Sequence, residues 1–277
     1  MTVGERSEAV NGNSVMGEPV LVADAEGVRT LTLNRPDSLN ALTTESMGLL
    51  AECLDSAAAD PAVRSVIITG AGTAFSAGGD TAFLLEIPTM PPARVKEVVY
   101  GTFQRVIRAI RGMDKPVIAA VNGVAVGAGC EIAIASDFRI ASETARIGEV
   151  WIKLGCVPAL GGMFLLPRIV GLAKATELIL TGEIIDAHEA LRIGLVNKVV
   201  RPGDLIPSAE ELARSLARGP AKAIAVAKAA LNRGLDSNLW AELEATVHAQ
   251  LMCFTTKDFA EGVRALAERR RPRFRGE

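Results

Sequence analysis

The chain has 277 residues, enough for one large domain or one domain with a small appendage. Its 49% hydrophobic and 22% charged residues predict a packed core, and a net charge of −2 argues against any global pull toward nucleic acid or an anionic membrane. Aromatic residues, at 4%, are too sparse for a base-stacking surface.

Residues 1–17 (MTVGERSEAVNGNSVMG) are polar and glycine-rich, lack an apolar signal core, and read as a flexible tail. Pro19–Ala23 and Val28–Leu33 read as two strands joined by a short Asp/Glu/Gly turn. Asn34-Arg35-Pro36-Asp37-Ser38 is a turn. Thr43–Ala59 reads as an amphipathic helix, with Thr44 as its cap and Met47, Leu50 and Leu54 on one face. Val63–Thr69 is short and β-branched, a buried strand, and Gly70–Asp80 is a glycine-rich loop. A helical stretch over Ala93–Gly112 precedes another buried strand, Pro116–Val121, and a helix of small residues over Gly127–Ser136. Phe138–Ala141 and Ala145–Glu149 are short strand candidates.

The order strand, glycine loop, helix occurs twice, which predicts stacked ββα-like units on a largely parallel, buried sheet. Residues 204–277 are alanine-rich, charged and helical in pattern. They read as a C-terminal helical appendage beyond Arg201-Pro202-Gly203. No apolar stretch reaches the roughly 18 residues of a membrane span. Val117–Ile134 comes closest and is broken by Asn122, by glycines and by Glu131.

Cys53, Cys130, Cys156 and Cys253 show no C-x-x-C spacing and read as free thiols in a reducing cytosol. His188 and His248, the only histidines, lie far apart, which argues against a histidine metal centre or a Ser-His-Asp triad.

Two segments carry the chemistry. Phe75-Ser76-Ala77-Gly78-Gly79-Asp80 lets a ligand approach the backbone closely, and Asp80 suits the cap of a following helix. Asn122-Gly123-Val124-Ala125-Val126-Gly127-Ala128-Gly129-Cys130-Glu131 follows a buried strand and opens a helix, whose first N–H groups lack partners. Each could be simple turn chemistry. Neither has the G-x-G-x-x-G spacing of a dinucleotide site or the Lys-Ser/Thr of a P-loop. Glu131, in a run of Gly, Ala and Ile, is either a helix N-terminal charge or a buried proton carrier whose pKa burial raises.

The ordered set Leu33-Asn34-Arg35-Pro36…Leu39-Asn40-Ala41-Leu42, then Phe75–Asp80, then Lys115–Gly123…Gly127–Glu131, then Leu180-Thr181-Gly182…Gly194-Leu195-Val196-Asn197 resembles the crotonase (enoyl-CoA hydratase/isomerase) superfamily. The resemblance runs from about Pro19 to the C-terminus. It implies an α/β fold, the crotonase/ClpP-like spiral of ββα units over residues 18–203. It also implies a C-terminal helical trimerisation region over 204–277 and a homotrimer or a dimer of trimers. Carried over by position, the amides of Gly79 and Ala128 hold a thioester oxygen. Two such donors are worth several kcal/mol of barrier, about 2.7–4 kcal/mol each. The first catalytic glutamate of the family matches Glu131. The resemblance also implies substrate contacts at Ala77 and Asp80, an adenine contact at the Ala41 backbone, and a phosphate contact at Arg269. Asp37 stands where the family often has a phosphate-binding lysine, and Arg35 would compensate.

The second glutamate of family hydratases lies twenty residues beyond the first, and here that position is Trp151. Three accounts stand. Glu149 substitutes, because residues two apart on a strand share a face about 6.6 Å along it. Alternatively, Glu131 works alone, or the chain acts on a different thioester. Trp151 itself would wall the acyl pocket. The arginines at 269, 270, 271, 273 and 275 read as a solvated tail or as phosphate contacts, and without interleaved aromatics they do not suggest nucleic acid.

The expected activity is hydration of a trans-2-enoyl-CoA by a soluble cytoplasmic enzyme. Coenzyme A enters as part of the substrate, and no metal or other cofactor is implied. Alternatives are a double-bond isomerase, a decarboxylase, a thioester hydrolase, or a weakened protein that only binds coenzyme A esters.

Overall fold

The computed structural model describes residues 17–277, so the expected N-terminal tail lies, except for Gly17, outside the described residues. Val20–Ala25 (β1) and Val28–Leu33 (β2) form an antiparallel hairpin in which Val20 faces Leu33. Thr44–Ala59 (α1) follows and buries Met47, Leu50, Ala51, Leu54 and Ala57 on one face. Its cap is Thr43 rather than Thr44. The Thr43 hydroxyl accepts from the Ser46 amide while the Ser46 hydroxyl accepts from the Thr43 amide. This reciprocal pair satisfies two donors that a helix start leaves open.

Three turns of a spiral come next. Ser65–Gly70 (β3) and Ala74–Ser76 (β4) lead into Thr81–Glu86 (α2), Pro92–Val98 (α3) and Gln104–Gly112 (α4). Val117–Val121 (β5) and Val124–Val126 (β6) lead into Ala128–Ala135 (α5). Phe138–Ser142 (β7) and Arg146–Gly148 (β8) lead into Gly162–Val170 (α6) and Leu172–Thr181 (α7). Ile185–Asp186 (β9), Ala187–Arg192 (α8) and Lys198–Val200 (β10) close the spiral.

In each turn the first strand joins one sheet and the second joins another. The larger sheet has the order β1-β2-β3-β5-β7-β10 and is parallel beyond the hairpin; the smaller has the order β4-β6-β8-β9. Strands β3 and β5 are buried on both faces, which explains their unbroken apolar runs. Strands β4 and β6 have three residues each and were not visible as strands in the two glycine loops, because so short a piece between glycines shows no alternation.

Beyond the spiral, Leu205–Ala217 (α9) lies on the larger sheet. Its Leu205, Ala209, Ala213 and Ala217 pack on Val28, Ile67, Ile118, Ala120 and Ile140. Ala221–Gly234 (α10) is pinned to the core by Lys228, which pairs with Asp137 at 2.7 Å and donates to the carbonyls of Ile110 and Lys115. Leu239–Phe254 (α11) and Lys257–Ala267 (α12) leave large apolar side chains exposed, among them Trp240, Val247, Met252 and Leu266.

Candidate active site

Two glycine-rich turns meet where the smaller sheet ends. Gly78 has φ +87°, and a Cβ there would lie 2.8 Å from the Val126 carbonyl oxygen and 3.6 Å from the Ala128 nitrogen. A Cβ on Gly129 would lie 2.7 Å from both the Cβ and the carbonyl oxygen of Ser76. These two positions need glycine so that α5 can start against β4. The Leu42 amide donates to Gly78 O and the Asp80 amide to Leu42 O, forming a bridge in which Gly79 faces Leu42. The Gly79 N–H is left outside that bridge. Ala128 is the first residue of α5, where the helix supplies no acceptor. Among the described residues neither amide has a hydrogen-bond acceptor.

The Asn34–Leu42 segment is clamped to the first turn. Arg35 Nη1 donates to Asp80 Oδ2 at 2.9 Å and to the Ala41 carbonyl. Asp80 also caps α2 by accepting from the Ala82 amide, and the Arg35 guanidinium is the main cause holding its carboxyl below the usual range. The guanidinium expected to face phosphate is therefore paired within the chain. The Ala77 amide donates to Leu39 O, and the Ser76 hydroxyl donates to Asn40 O. Asn40, with φ +55°, and Asn122 both donate to the Ala74 carbonyl, and so fix the glycine loop from two sides.

Glu131 is buried in the first turn of α5. Its Oε1 accepts from the amides of Leu160 (2.8 Å) and Gly162 (2.9 Å), and its Oε2 accepts from the Trp151 indole N–H at 3.1 Å. Burial pushes its pKa up to about 7, and the three hydrogen bonds oppose that rise.

Glu149 is equally buried, and among the described residues neither of its carboxyl oxygens has a hydrogen-bond partner. Burial first, and then the nearby Glu131 charge, lift it well above the usual carboxylate range. The Cys130 thiol beside it slightly favours the charged form but makes no well-formed hydrogen bond. The two acids converge on Gly162, where a Cβ would stand 2.7 Å from Glu149 Oε1 and 3.1 Å from Glu131 Oε1.

Glu149 does not stand on a strand, contrary to the expectation that strand alternation would carry it. Strand β8 ends at Gly148, and a 3-10 turn over Val150–Leu154 begins right after Glu149. That turn, rather than strand alternation, brings both Glu149 and Trp151 to Glu131. The donors at Leu160 and Gly162 were missed because backbone amides leave no side-chain signature. The Gly161-Gly162 pair was the available hint.

Arg269 is exposed just past α12, and among the described residues no hydrogen bond or ion pair links it to the residues above. Its neighbours fold back. Arg270 forks onto Glu261 at 2.6 and 3.0 Å, and the amides of Arg275 and Gly276 bind the Asp258 carboxylate. Among the described residues, no group of three or more His, Cys, Asp or Glu side chains could hold a metal ion, and no helix is long and apolar enough to cross a membrane.

A two-sheet ββα spiral, glycine turns meeting at the head of a buried helix and a helical C-terminal region define a crotonase-type α/β protein. The sequence agrees over nearly its whole length: residues 23–277 match the enoyl-CoA hydratase/isomerase family, and the chain belongs to it. Crotonyl-CoA hydratase of Syntrophomonas wolfei is 40% identical over 260 residues, covering 93% of this chain and 98% of that one. The 1,2-epoxyphenylacetyl-CoA isomerase of Escherichia coli is 37% identical over 261 residues, covering 94% of this chain and all of its own length. The crystal structure of an enoyl-CoA hydratase from Bacillus anthracis superposes with a TM-score of 0.88 at 35% identity, covering 94% of this chain and 100% of that one.

Proposed function

We propose that the protein adds water across the α,β double bond of a trans-2-enoyl-CoA. The observation that carries this reading is the meeting of the Gly79 and Ala128 turns, each with an amide that lacks an acceptor, beside the buried Glu131 carboxyl. In this reading the thioester oxygen sits between the two amides, which stabilise it as it gains charge. Glu131 takes a proton from water as the oxygen bonds to the β carbon. It then returns that proton to the α carbon as the enolate collapses. Glu149 completes the carboxyl pair. The backbones at Ala41 and Ala77 and the Arg35–Asp80 clamp shape the coenzyme A side, Trp151 walls the acyl side, and Arg269 reaches phosphate on a neighbouring subunit. Coenzyme A is part of the substrate, and no separate cofactor takes part. The enzyme works in the cytoplasm as a homotrimer or dimer of trimers. The apolar faces of α11 and α12 support that assembly.

Loss of the conjugated-thioester absorbance of crotonyl-CoA tests the reading. Turnover that falls at least about 100-fold in Glu131→Gln supports it. Binding of acyl-CoA without turnover of any enoyl thioester would instead make the chain a coenzyme A ester-binding protein. A second reading, double-bond isomerisation, is favoured by one observation. Trp151 caps Glu131 where family hydratases have a second glutamate, and a single carboxylate suffices to carry a proton between two carbons. Conversion of a 3-enoyl-CoA without water uptake identifies that case.

A further inference from the structure

Among the described residues three N–H groups converge on Glu131 and none on Glu149, although both carboxyls face Gly162. Repulsion between two buried carboxylates disfavours ionising both, so the pair holds on to one proton more readily than either acid would alone. The charge settles where the donors are. We propose that Trp151 is a positioning residue whose indole N–H, with the Leu160 and Gly162 amides, makes Glu131 the ionised member of the pair and leaves the proton on Glu149. This rests on the reading of Glu131 as the group that moves the proton.

The residue type matters. An indole N–H only donates, so Trp151 selects the carboxylate form of Glu131 and cannot compete for the proton as a carboxyl or an amide oxygen would. Its place is fixed from the other side. Gly127 has φ +53°, and a Cβ there would meet the indole Cε2 at 3.4 Å. The same glycine precedes Ala128, so one residue seats the indole and opens α5.

One neighbour leans the other way: the Cys130 thiol slightly favours the charged form of Glu149. On α5 the titratable neighbour is Cys130, whose thiol is buried and pushed up by burial and by the Glu149 charge. The packed neighbours α4 and α6 contribute buried Val106, Ile107, Ile110, Leu165 and Leu166, and β4 contributes Ser76. No cation is among the causes acting on either carboxyl. Both acids are buried, so the difference between them is three N–H donors at Glu131 against one thiol at Glu149.

The test uses carbon-13 NMR of protein labelled at the glutamate carboxyls, with Glu131→Gln and Glu149→Gln identifying the two buried signals. In the unaltered protein we expect the Glu131 signal to titrate first, with Glu149 still protonated when Glu131 is ionised. In Trp151→Phe, which keeps an aromatic ring and removes the donor, the Glu131 step moves upward by roughly one to two pH units. The acidic limb of kcat/KM moves with it.

If Glu149 ionises first in the unaltered protein, the proposal is overturned; the same follows if a folded Trp151→Phe protein keeps both its titration and its acidic limb in place. Should Trp151→Phe fail to fold, the order of titration in the unaltered protein decides alone. Retained turnover in Glu131→Gln would remove Glu131 from proton transfer, a separate failure, whatever the titration order.

Discussion

Burial raises the free energy of a carboxylate, and hydrogen bonds lower it again. At Glu131 three donors oppose a desolvation that still carries the pKa up to about 7, a value suited to moving protons near neutrality. At Glu149 only the Cys130 thiol opposes it, and weakly. Its folded-state pKa stands above the unfolded value, so folding retains a proton that the unfolded chain releases. Stability is then highest below the ordinary carboxylate range and declines as pH rises from there through the folded-state value. Glu149→Gln removes that decline. We expect its melting temperature to gain on the unaltered protein as pH rises from 5 to 8, measured by calorimetry at matched concentration. A constant offset across that range would mean that Glu149 does not titrate as described. Glu131 could be read from the sequence as an acid among Gly, Ala and Ile. Trp151 could be read as a departure from the hydratase pattern but not as a donor, because the direction of its indole depends on the 3-10 turn at Val150.

The elements that build the site are short and closely packed. All eight residues of α5 are buried, and the helix starts where Gly129 passes Ser76 with no room for a Cβ. Gly129→Ala pushes α5 from β4, and we expect a loss of roughly 1–3 kcal/mol in urea unfolding together with reduced turnover. Lys228 on α10 is 7% exposed and holds Asp137 as well as the Ile110 and Lys115 carbonyls. Lys228→Ala removes the cation facing Asp137, which keeps only the Val117 amide, and takes the donor from the Ile110 and Lys115 carbonyls; we expect it to cost roughly 3–5 kcal/mol in the same assay. The long strands and α1 were legible because they are long enough to show a pattern. Strands β4 and β6 were not, since three residues between glycines look like loop. Nor was the Lys228–Asp137 pair, which joins residues 91 positions apart along the chain.

At the scale of the molecule, the spiral was predictable from the repeated order of strand, glycine loop and helix together with the family resemblance. The division into two sheets was not, because it depends on which strand of each turn pairs with which neighbour. The C-terminal helices differ in kind. Helix α9 buries its alanines on the larger sheet, whereas α11 exposes Trp240, Leu243, Val247, Leu251 and Met252, and α12 exposes Phe259, Val263 and Leu266. These exposed apolar side chains suit contact with further copies of the chain. We expect light scattering to give a mass of three or six chains, and Trp240→Asp with Leu251→Asp to lower it; a monomeric unaltered protein would count against the assembly.

The amides of Gly79 and Ala128 are the centre of the account, and a crystal structure with a bound, unreactive acyl-CoA tests them most directly. We expect the thioester carbonyl oxygen within about 2.7–3.1 Å of both nitrogens, with the Glu131 carboxyl facing the α and β carbons. A thioester oxygen held by other donors, or the two amides opening into separate cavities, would contradict it.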